Sequence, residues 1–339
     1  MESWPKITVV LPIRNEGEFI ARTIEYLLKQ DYPTDKTEII VAVGDSTDDT
    51  AGIVQRIAAE DSRVRYLHNP KAWSSSARNL GAREATGEIV VYVDGHTYID
   101  NDQLLKNTAL AMQENGVEVL SRPQFLDTPE NTTFQRAVSL ARKARLGHGT
   151  DSTIYATEDL FVNPASAGAS YRKSVFEKVG YFDERFDASE DYEFNYRVSK
   201  AGYKAFSSMK LAVYYYPRKT LGALFKQMAR YGTGRMRLAR KHPETLGFST
   251  LVPPLFLLGL LLWTPLAFVS HWFCYLLGLG YGLFLLAVLA TALGIAVNNG
   301  IAYLFLTPPI FFMIYLGLGY GFLREWLFGT KLKREETLP

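Results

Sequence analysis

"EIVVYVDGHT", residues 88–97, is a β-branched run that ends in an aspartate, a glycine and a histidine. Asp94-x-His96 reads either as a metal claw at a strand end or as a polar turn, and ten residues alone leave both open. Moving outward, "KITVVLP" (6–12), "EIIVAV" (38–43) and "VRYL" (64–67) are runs of the same kind. Between them stand segments of helical periodicity, such as "EFIARTIEYLLKQ" and "SSSARNLGAREA". Strands alternating with helices at this spacing predict βαβ units and an α/β fold with a mostly parallel sheet covered on both faces. Such sheets bind ligands at the carboxyl ends of their strands. The polar clusters "IRNEGE", "GDSTDD" and "DGHT" all fall there, which puts three chemically rich loops along one edge. No G-x-G-x-x-G follows the first strand and no G-x-x-x-x-G-K-[ST] occurs, so dinucleotide oxidoreductases and P-loop enzymes lose their main signature.

The chain has 339 residues, and its average composition conceals a sharp division. From Phe248 to Leu323, 76 residues pass without one Asp, Glu, Lys or Arg. A bilayer-spanning helix needs roughly 20 apolar residues, and polar or helix-breaking points divide this block into 248–270, 273–297 and 301–323, about three spans. A buried soluble bundle is the alternative, although soluble helices keep a polar face. "LGLGYG" occurs at 277–282 and again at 316–321; its glycine spacing suits close helix packing in lipid, as chance recurrence in a Leu/Gly-rich block also would. The amino terminus lacks the basic region of a secretory signal. Cys274 is the single cysteine, so disulfides and Cys-based zinc sites are excluded. Before the apolar block, Lys219, Lys226, Arg230, Arg235, Arg237, Arg240 and Lys241 come without an acid, and the positive-inside tendency turns them to the cytoplasm. The expected organisation is a catalytic domain over 1–217, a basic amphipathic interface segment over 218–247, a transmembrane region over 248–323 and a polar tail over 324–339. Three crossings would put that tail, basic at Lys331, Lys333 and Arg334, outside; a re-entrant segment near "TPP" (307–309) would not.

Four motifs in order, "VVLPIRNEGEFIARTIEYLLKQDYP", "GDSTDDT", "SSSARNLGAREATGEIVVYVDGHT" and "GYFDERFDASEDYEFNYRVSKAGY", make the chain resemble the family 2 glycosyltransferases of the nucleotide-sugar-binding GT-A fold. It looks most like the membrane-attached transferases of bacterial exopolysaccharide synthesis, over about residues 6–240. The resemblance implies an α/β GT-A domain in the cytosol, a C-terminal transmembrane helical region in the plasma membrane, and a nucleotide sugar, by family habit a UDP-sugar, as donor. It assigns the donor site to Pro12, Arg14, Asn15 and Glu16 of the first loop, Asp45 and Asp48 of the second, then Arg78 and Asp94. The second loop departs from the family pattern, because its base-contacting acid would fall at Val43 or Gly44. Asp48 also suits a helix cap, and Arg78 also suits a salt bridge to a loop carboxylate. Where the family writes Asp-x-Asp to hold a divalent ion, this chain has Asp94 and His96; an imidazole favours Mn²⁺ over the harder Mg²⁺.

"SEDYEFNYR" then supplies the acceptor chemistry. Asp191, in the family's Glu-Asp pair, is the expected catalytic base, placed by a helix amino terminus that favours its charge; an ordinary acidic first turn is the other reading. One base and one displacement imply inversion at the anomeric carbon. Gly168, Ala169 and Ser170 look like the family's small-residue strand beneath the acceptor. Glu190 is assigned to the acceptor, as are Gln227, Arg230 and Tyr231, because "QMARY" resembles the Gln-x-x-Arg-Trp motif of processive synthases. The same basic helix suits an interfacial anchor. His148 and Glu158-Asp159 read as surface loop. The leading expectation is an inverting transferase acting on a lipid-linked glycan or polysaccharide precursor, with no nucleic-acid partner. The alternatives are a nucleotide-sugar-binding transport or sensing protein without turnover, and a processive synthase.

Overall fold

The computed structural model describes residues 4–148, 153–166, 168–186 and 188–329. The chain opens with β1 (Ile7–Ile13), α1 (Ile20–Leu28), β2 (Thr37–Gly44), α2 (Thr50–Glu60), β3 (Val64–Asn69), α3 (Ser74–Glu84) and β4 (Ile89–Tyr92). A mixed stretch follows: β5 (Thr97–Tyr98), α4 (Leu104–Glu114), β6 (Val119–Ser121), β7 (Gln124–Phe125), α5 (Thr133–Lys143), β8 (Leu160–Val162), β9 (Gly168–Arg172) and α6 (Lys173–Val179). Next come α7 (Glu190–Lys200), β10 (Ala205–Ser207) and β11 (Val213–Tyr215). The chain then turns wholly helical in α8 (Leu221–Lys241), α9 (Phe248–Val269), α10 (His271–Asn299) and α11 (Ala302–Phe328). The described residues of 1–128 and 151–216 make one compact unit and those of 129–150 and 217–339 a second. The second unit takes up the chain at Pro217, ahead of the uncharged block that begins at Phe248; the assignment of α5 to the second unit is what a linear reading of the chain lacks. Lys331, Lys333 and Arg334 of the tail lie outside the described residues.

In the first unit an eight-stranded sheet runs β3-β2-β1-β4-β9-β6-β10-β8. The alternation seen in sequence gives the parallel half, β3-β2-β1-β4. β9 then enters antiparallel to both β4 and β6, which leaves β6 pointing the same way as β4. Strand period two explains the two cores: Val9, Leu11 and Ile13 face one with Ile20, Ile24 and Leu27 of α1, while Val10 faces the other with Val90, Tyr92 and Phe194. The buried set of α1, Ile20, Thr23, Ile24 and Leu27, repeats at helical spacing and seats that helix on the sheet. Strand order reverses direction at β1, between β2 and β4, the place where sheets of this kind open a crevice.

In the second unit, α5 begins with a capping box, Thr132 and Gln135 each satisfying the other's backbone. Its Ala137, Val138 and Ala141 are buried with Leu224 and Met228 of α8 and with Tyr303, Ile310, Phe311 and Ile314 of α11. α8 and α11 run side by side in the same direction with glycines between them: a Cβ on Gly232 would overlap the Leu318 carbonyl, and one on Gly321 the Ala229 carbonyl. The second "LGLGYG" is therefore a packing seam. In the first, Gly280 and Gly282 face open space, and contact with α9 is made instead by Gly278 near Trp263 and by Leu277 and Tyr281 beside Gly259. α10 and α11 are each long and apolar enough to cross a membrane. α9 is apolar from Phe248 to Trp263 and carries Pro253, Pro254 and Pro265 within its length.

Candidate functional site

The loops after β1 and β2 are laced together at the carboxyl edge of the sheet. Arg14 Nε donates to the Asp45 carbonyl at 2.9 Å, Asn15 N to Ser46 Oγ at 3.0 Å, and Thr47 N back to Asn15 Oδ1 at 2.8 Å. Glu16 N donates to Thr50 Oγ1 at 2.8 Å and Gly17 N to Asp48 Oδ2 at 3.0 Å. Asp48 also accepts from Thr50 N through Oδ1 at 3.1 Å, so one oxygen holds the β1 loop and the other the first residue of α2; the Thr50 hydroxyl, and after it these backbone donors, lower its pKa despite slight burial. The N-cap residue of α2 is its neighbour Asp49, which makes no side-chain cap bond. Asp45 is exposed and pairs with His68 Nε2 at 2.9 Å. Pro12 lies inside β1, opposite Ala42. Asn15 takes a left-handed backbone (φ 55°), as do Ala72 and Ser189 (φ 55° and 61°). These three non-glycine residues flank this edge, a concentration of backbone strain typical of working sites.

Beside these loops sits a charged cluster. Arg78, buried on α3, reaches Asp94 Oδ1 through Nη2 at 3.2 Å and Glu190 Oε1 through Nε at 3.3 Å. Its guanidinium lies 5.0 Å from the Tyr92 ring centroid and 5.8 Å from that of Phe182, which fixes the plane of the fork. Burial opposes its charge, but Asp94, Glu190 and Asp191 together hold it protonated. The same forces act on Asp94: burial pushes its pKa up, while Arg78 and then His96 outweigh that and leave it lowered. Glu190 is buried and its Oε1 also accepts from Ser74 Oγ at 2.6 Å. The residue assigned to the acceptor is thus turned inward to position Arg78.

Asp191, the next residue, presents an exposed side chain whose carboxylate its neighbours partly desolvate. That partial desolvation, then the charge of Glu190, pushes its pKa up to about 6 against the pull of Arg78. The helix dipole of α7 is outweighed. Asp191, Arg78 and Asp94 are close enough to act on one another electrostatically, so carboxylates from the loop after β4 and from the first turn of α7 stand near one another.

His96 faces the β1 loop, with Nδ1 2.9 Å from Glu16 Oε1. A carboxylate accepts, so Nδ1 carries the proton and Nε2 is the basic nitrogen. Gly95 permits this approach, because a Cβ there would press on Ile13 and on Glu16 Cγ at 2.8 and 2.9 Å. Among the described residues no group of three or more His, Cys, Asp or Glu side chains forms a metal cage. A cation held at Asp94 and His96 would need its remaining ligands from outside these two side chains. Glu16 on Nδ1 is the kind of outer partner that orients a ligating histidine.

Two residues were missed by sequence reasoning. Arg122, at the end of β6, is buried and donates from Nη2 to the Tyr92 carbonyl at 2.6 Å. Tyr215 of β11 packs its ring against His96 with centroids 5.7 Å apart. Neither lies in a polar cluster of the sequence, and only the sheet order brings them to Asp94. Gln227, Arg230 and Tyr231 belong to the second unit, on α8, where Gln227 Nε2 donates to Tyr231 Oη at 3.2 Å and Arg142 of α5 lies 5.9 Å from the Tyr231 ring centroid. Glu158 and Asp159 are exposed, and His148 is half-buried with Nδ1 3.2 Å from the Ala144 carbonyl.

Residues 8–180 match glycosyl transferase family 2. The succinoglycan biosynthesis protein ExoA of Rhizobium meliloti is 33% identical over 283 residues, covering 80% of this chain and 84% of that protein. A Methanococcus voltae enzyme, dolichyl N-acetyl-alpha-D-glucosaminyl phosphate 3-beta-D-2,3-diacetamido-2,3-dideoxy-beta-D-glucuronosyltransferase, is 23% identical over 96% of this chain and 98% of its own. Among solved structures, the mannosyltransferase PcManGT of Pyrobaculum calidifontis in complex with GDP-Man and Mn²⁺ superimposes with a TM-score of 0.60, at 18% identity, over 96% of this chain and 88% of that one. The fold these chains share is the GT-A fold.

Proposed function

The chain belongs to glycosyl transferase family 2, and from that premise we propose that it is an inverting glycosyltransferase that moves a sugar from a nucleotide donor, by family habit a UDP-sugar, to a hydroxyl of a lipid-linked glycan or polysaccharide precursor. The observation that carries this reading is the convergence of Asp94, Arg78 and the Glu190-Asp191 pair on one cleft beside the β1 and β2 loops. In it, Arg14, Asn15, Glu16, Asp45 and Asp48 shape the nucleotide pocket, largely by bracing one another. Arg78 supplies positive charge where the donor diphosphate lies. Asp191 accepts the proton of the attacking hydroxyl, and its solvent-facing side chain leaves room for an acceptor. Asp94 and His96 would hold a divalent cation, Mn²⁺ in preference to Mg²⁺, which when bound neutralises charge on the departing diphosphate. The Mn²⁺ bound alongside GDP-Man in the Pyrobaculum mannosyltransferase accords with that preference. Gln227, Arg230 and Tyr231 are assigned to the acceptor.

The chain is further proposed to sit in the plasma membrane with its catalytic unit in the cytoplasm. α10 and α11 cross as a hairpin, turning at Gly300, and α9 dips in and returns. Support comes from levels within the second unit. Arg240 of α8 pairs with Glu325 of α11 at 2.9 Å, which ties the end of α11 to a basic helix that belongs at the water interface. Phe256 of α9 meets Phe284 and Tyr315, the middles of α10 and α11, and seven residues on Trp263 stacks on Tyr281, nearer the start of α10.

The test is a purified full-length chain offered a panel of nucleotide sugars with Mn²⁺, scored by thermal shift and by transfer. At least one donor is expected to stabilise it, and Asp191→Asn is expected to keep that stabilisation while losing transfer by about 10²–10⁴-fold. Stabilisation without any turnover in the wild type would favour a binding protein; no stabilisation by any donor would refute the donor site.

A further inference from the structure

We propose that Arg122 binds a phosphate oxyanion of a substrate, on the side of Asp94 away from the nucleotide loops. The inference rests on the reading of this cleft as a transferase site. Arg122 is 3% exposed. One of its nitrogens donates to the Tyr92 carbonyl, while Nε and Nη1 are buried without any hydrogen-bond partner. Buried unpaired donors on a charged group are costly and are seldom retained without a use. Arg78 makes the contrast: its side chain is 12% exposed, and Asp94 and Glu190 balance it.

Position gives the chemistry. Arg122 follows β6, which runs parallel to β4 two strands away across β9. Its side chain is therefore rooted at the same carboxyl edge as Asp94, and its charge is felt at Asp94, Tyr171 and Tyr215. The nucleotide loops follow β1 and β2, on the opposite side of β4. A base or ribose seated there is not the partner of Arg122; a group lying beyond Asp94 is. Nε and Nη1 stand on either side of Nη2 in the guanidinium plane, so each can give one charge-assisted hydrogen bond to a phosphate oxygen. That phosphate belongs either to the donor diphosphate or to a phosphorylated acceptor.

The experiment measures binding rather than turnover, using full-length protein in detergent. Wild type, Arg122→Gln and Arg122→Lys are titrated with UDP plus Mn²⁺ and, separately, with a prenyl phosphate in micelles, and each protein is first melted without ligand. Arg122→Gln is expected to weaken one of the two by at least about tenfold, with Arg122→Lys between it and wild type because the charge remains and the planar array of separate donors is lost. Weakening confined to UDP identifies the donor as source; weakening confined to prenyl phosphate identifies the acceptor. Unchanged affinity for both, with only the ligand-free melting temperature lowered, would overturn the proposal and leave Arg122 a brace for the Tyr92 carbonyl. Failure of the wild type to bind either phosphate would overturn it as well. A wild type that binds phosphate and transfers no sugar would instead count against the proposed function alone.

Discussion

Asp191 stands where two opposing influences meet. A first-turn carboxylate is favoured in its charged form by the helix dipole, but partial burial, and after it Glu190, pushes this one up to about 6 while Arg78 pulls it down. A base of that pKa is largely ionised at neutral pH and still basic enough to take a proton from a hydroxyl in the transition state. The sign follows: transfer declines as pH falls through about 6, and removing the charge of Glu190 moves that decline to lower pH. The Glu-Asp pair was legible in the sequence, whereas its division of labour was not, because the inward turn of Glu190 onto Ser74 and Arg78 depends on where α3 packs. For Asp48 the partners unseen in the sequence are backbone groups of two loops, Gly17 N and Thr50 N. For the Asp94-x-His96 pair, the unforeseen partner is Glu16, brought across from β1.

Among the elements, β1, β2 and β4 could be read directly, since strands buried on both faces are largely apolar runs, whereas β3, at the sheet edge, is mostly half-buried and carries Arg65 and His68. β9 was legible only through the family resemblance of its small residues, because a short antiparallel insertion has no periodicity of its own to announce it. α5 was hidden altogether: its Ala137, Val138 and Ala141 make a modest stripe whose partners lie far along the chain in α8 and α11. The two copies of "LGLGYG" show why a motif alone does not settle packing. Gly321 lies against the Ala229 carbonyl and Gly282 faces open space. Gly321→Leu is accordingly expected to destabilise the protein by roughly 2 kcal/mol or more through overpacking, and Gly282→Leu to leave its melting temperature in detergent nearly unchanged. Equal melting of the two variants would show that the seam does not hold α8 to α11.

For the whole molecule, the division into a charged and an uncharged part was plain from composition, and the packing of the apolar helices was not. Counting apolar stretches gives three, which puts the tail opposite the basic segment; the Arg240–Glu325 pair puts the end of α11 beside it. In a Cys274→Ser background, single cysteines at Glu244, Asn299 and Phe328 can be labelled in sealed vesicles with a membrane-impermeant thiol reagent. Glu244→Cys and Phe328→Cys are expected to react from the same face and Asn299→Cys from the other. Reaction of Glu244→Cys and Phe328→Cys from opposite faces would restore three crossings.

The central claim, that Asp191 is the base and shares its cleft with Glu190, Arg78 and Asp94, meets its most direct test in the pH dependence of kcat/KM for sugar transfer, measured for wild type and Glu190→Gln. The expected result is an acid limb near pH 6 in the wild type that shifts to lower pH in the variant. A profile flat from about pH 5 to 8, or a limb that Glu190→Gln leaves in place, would contradict it.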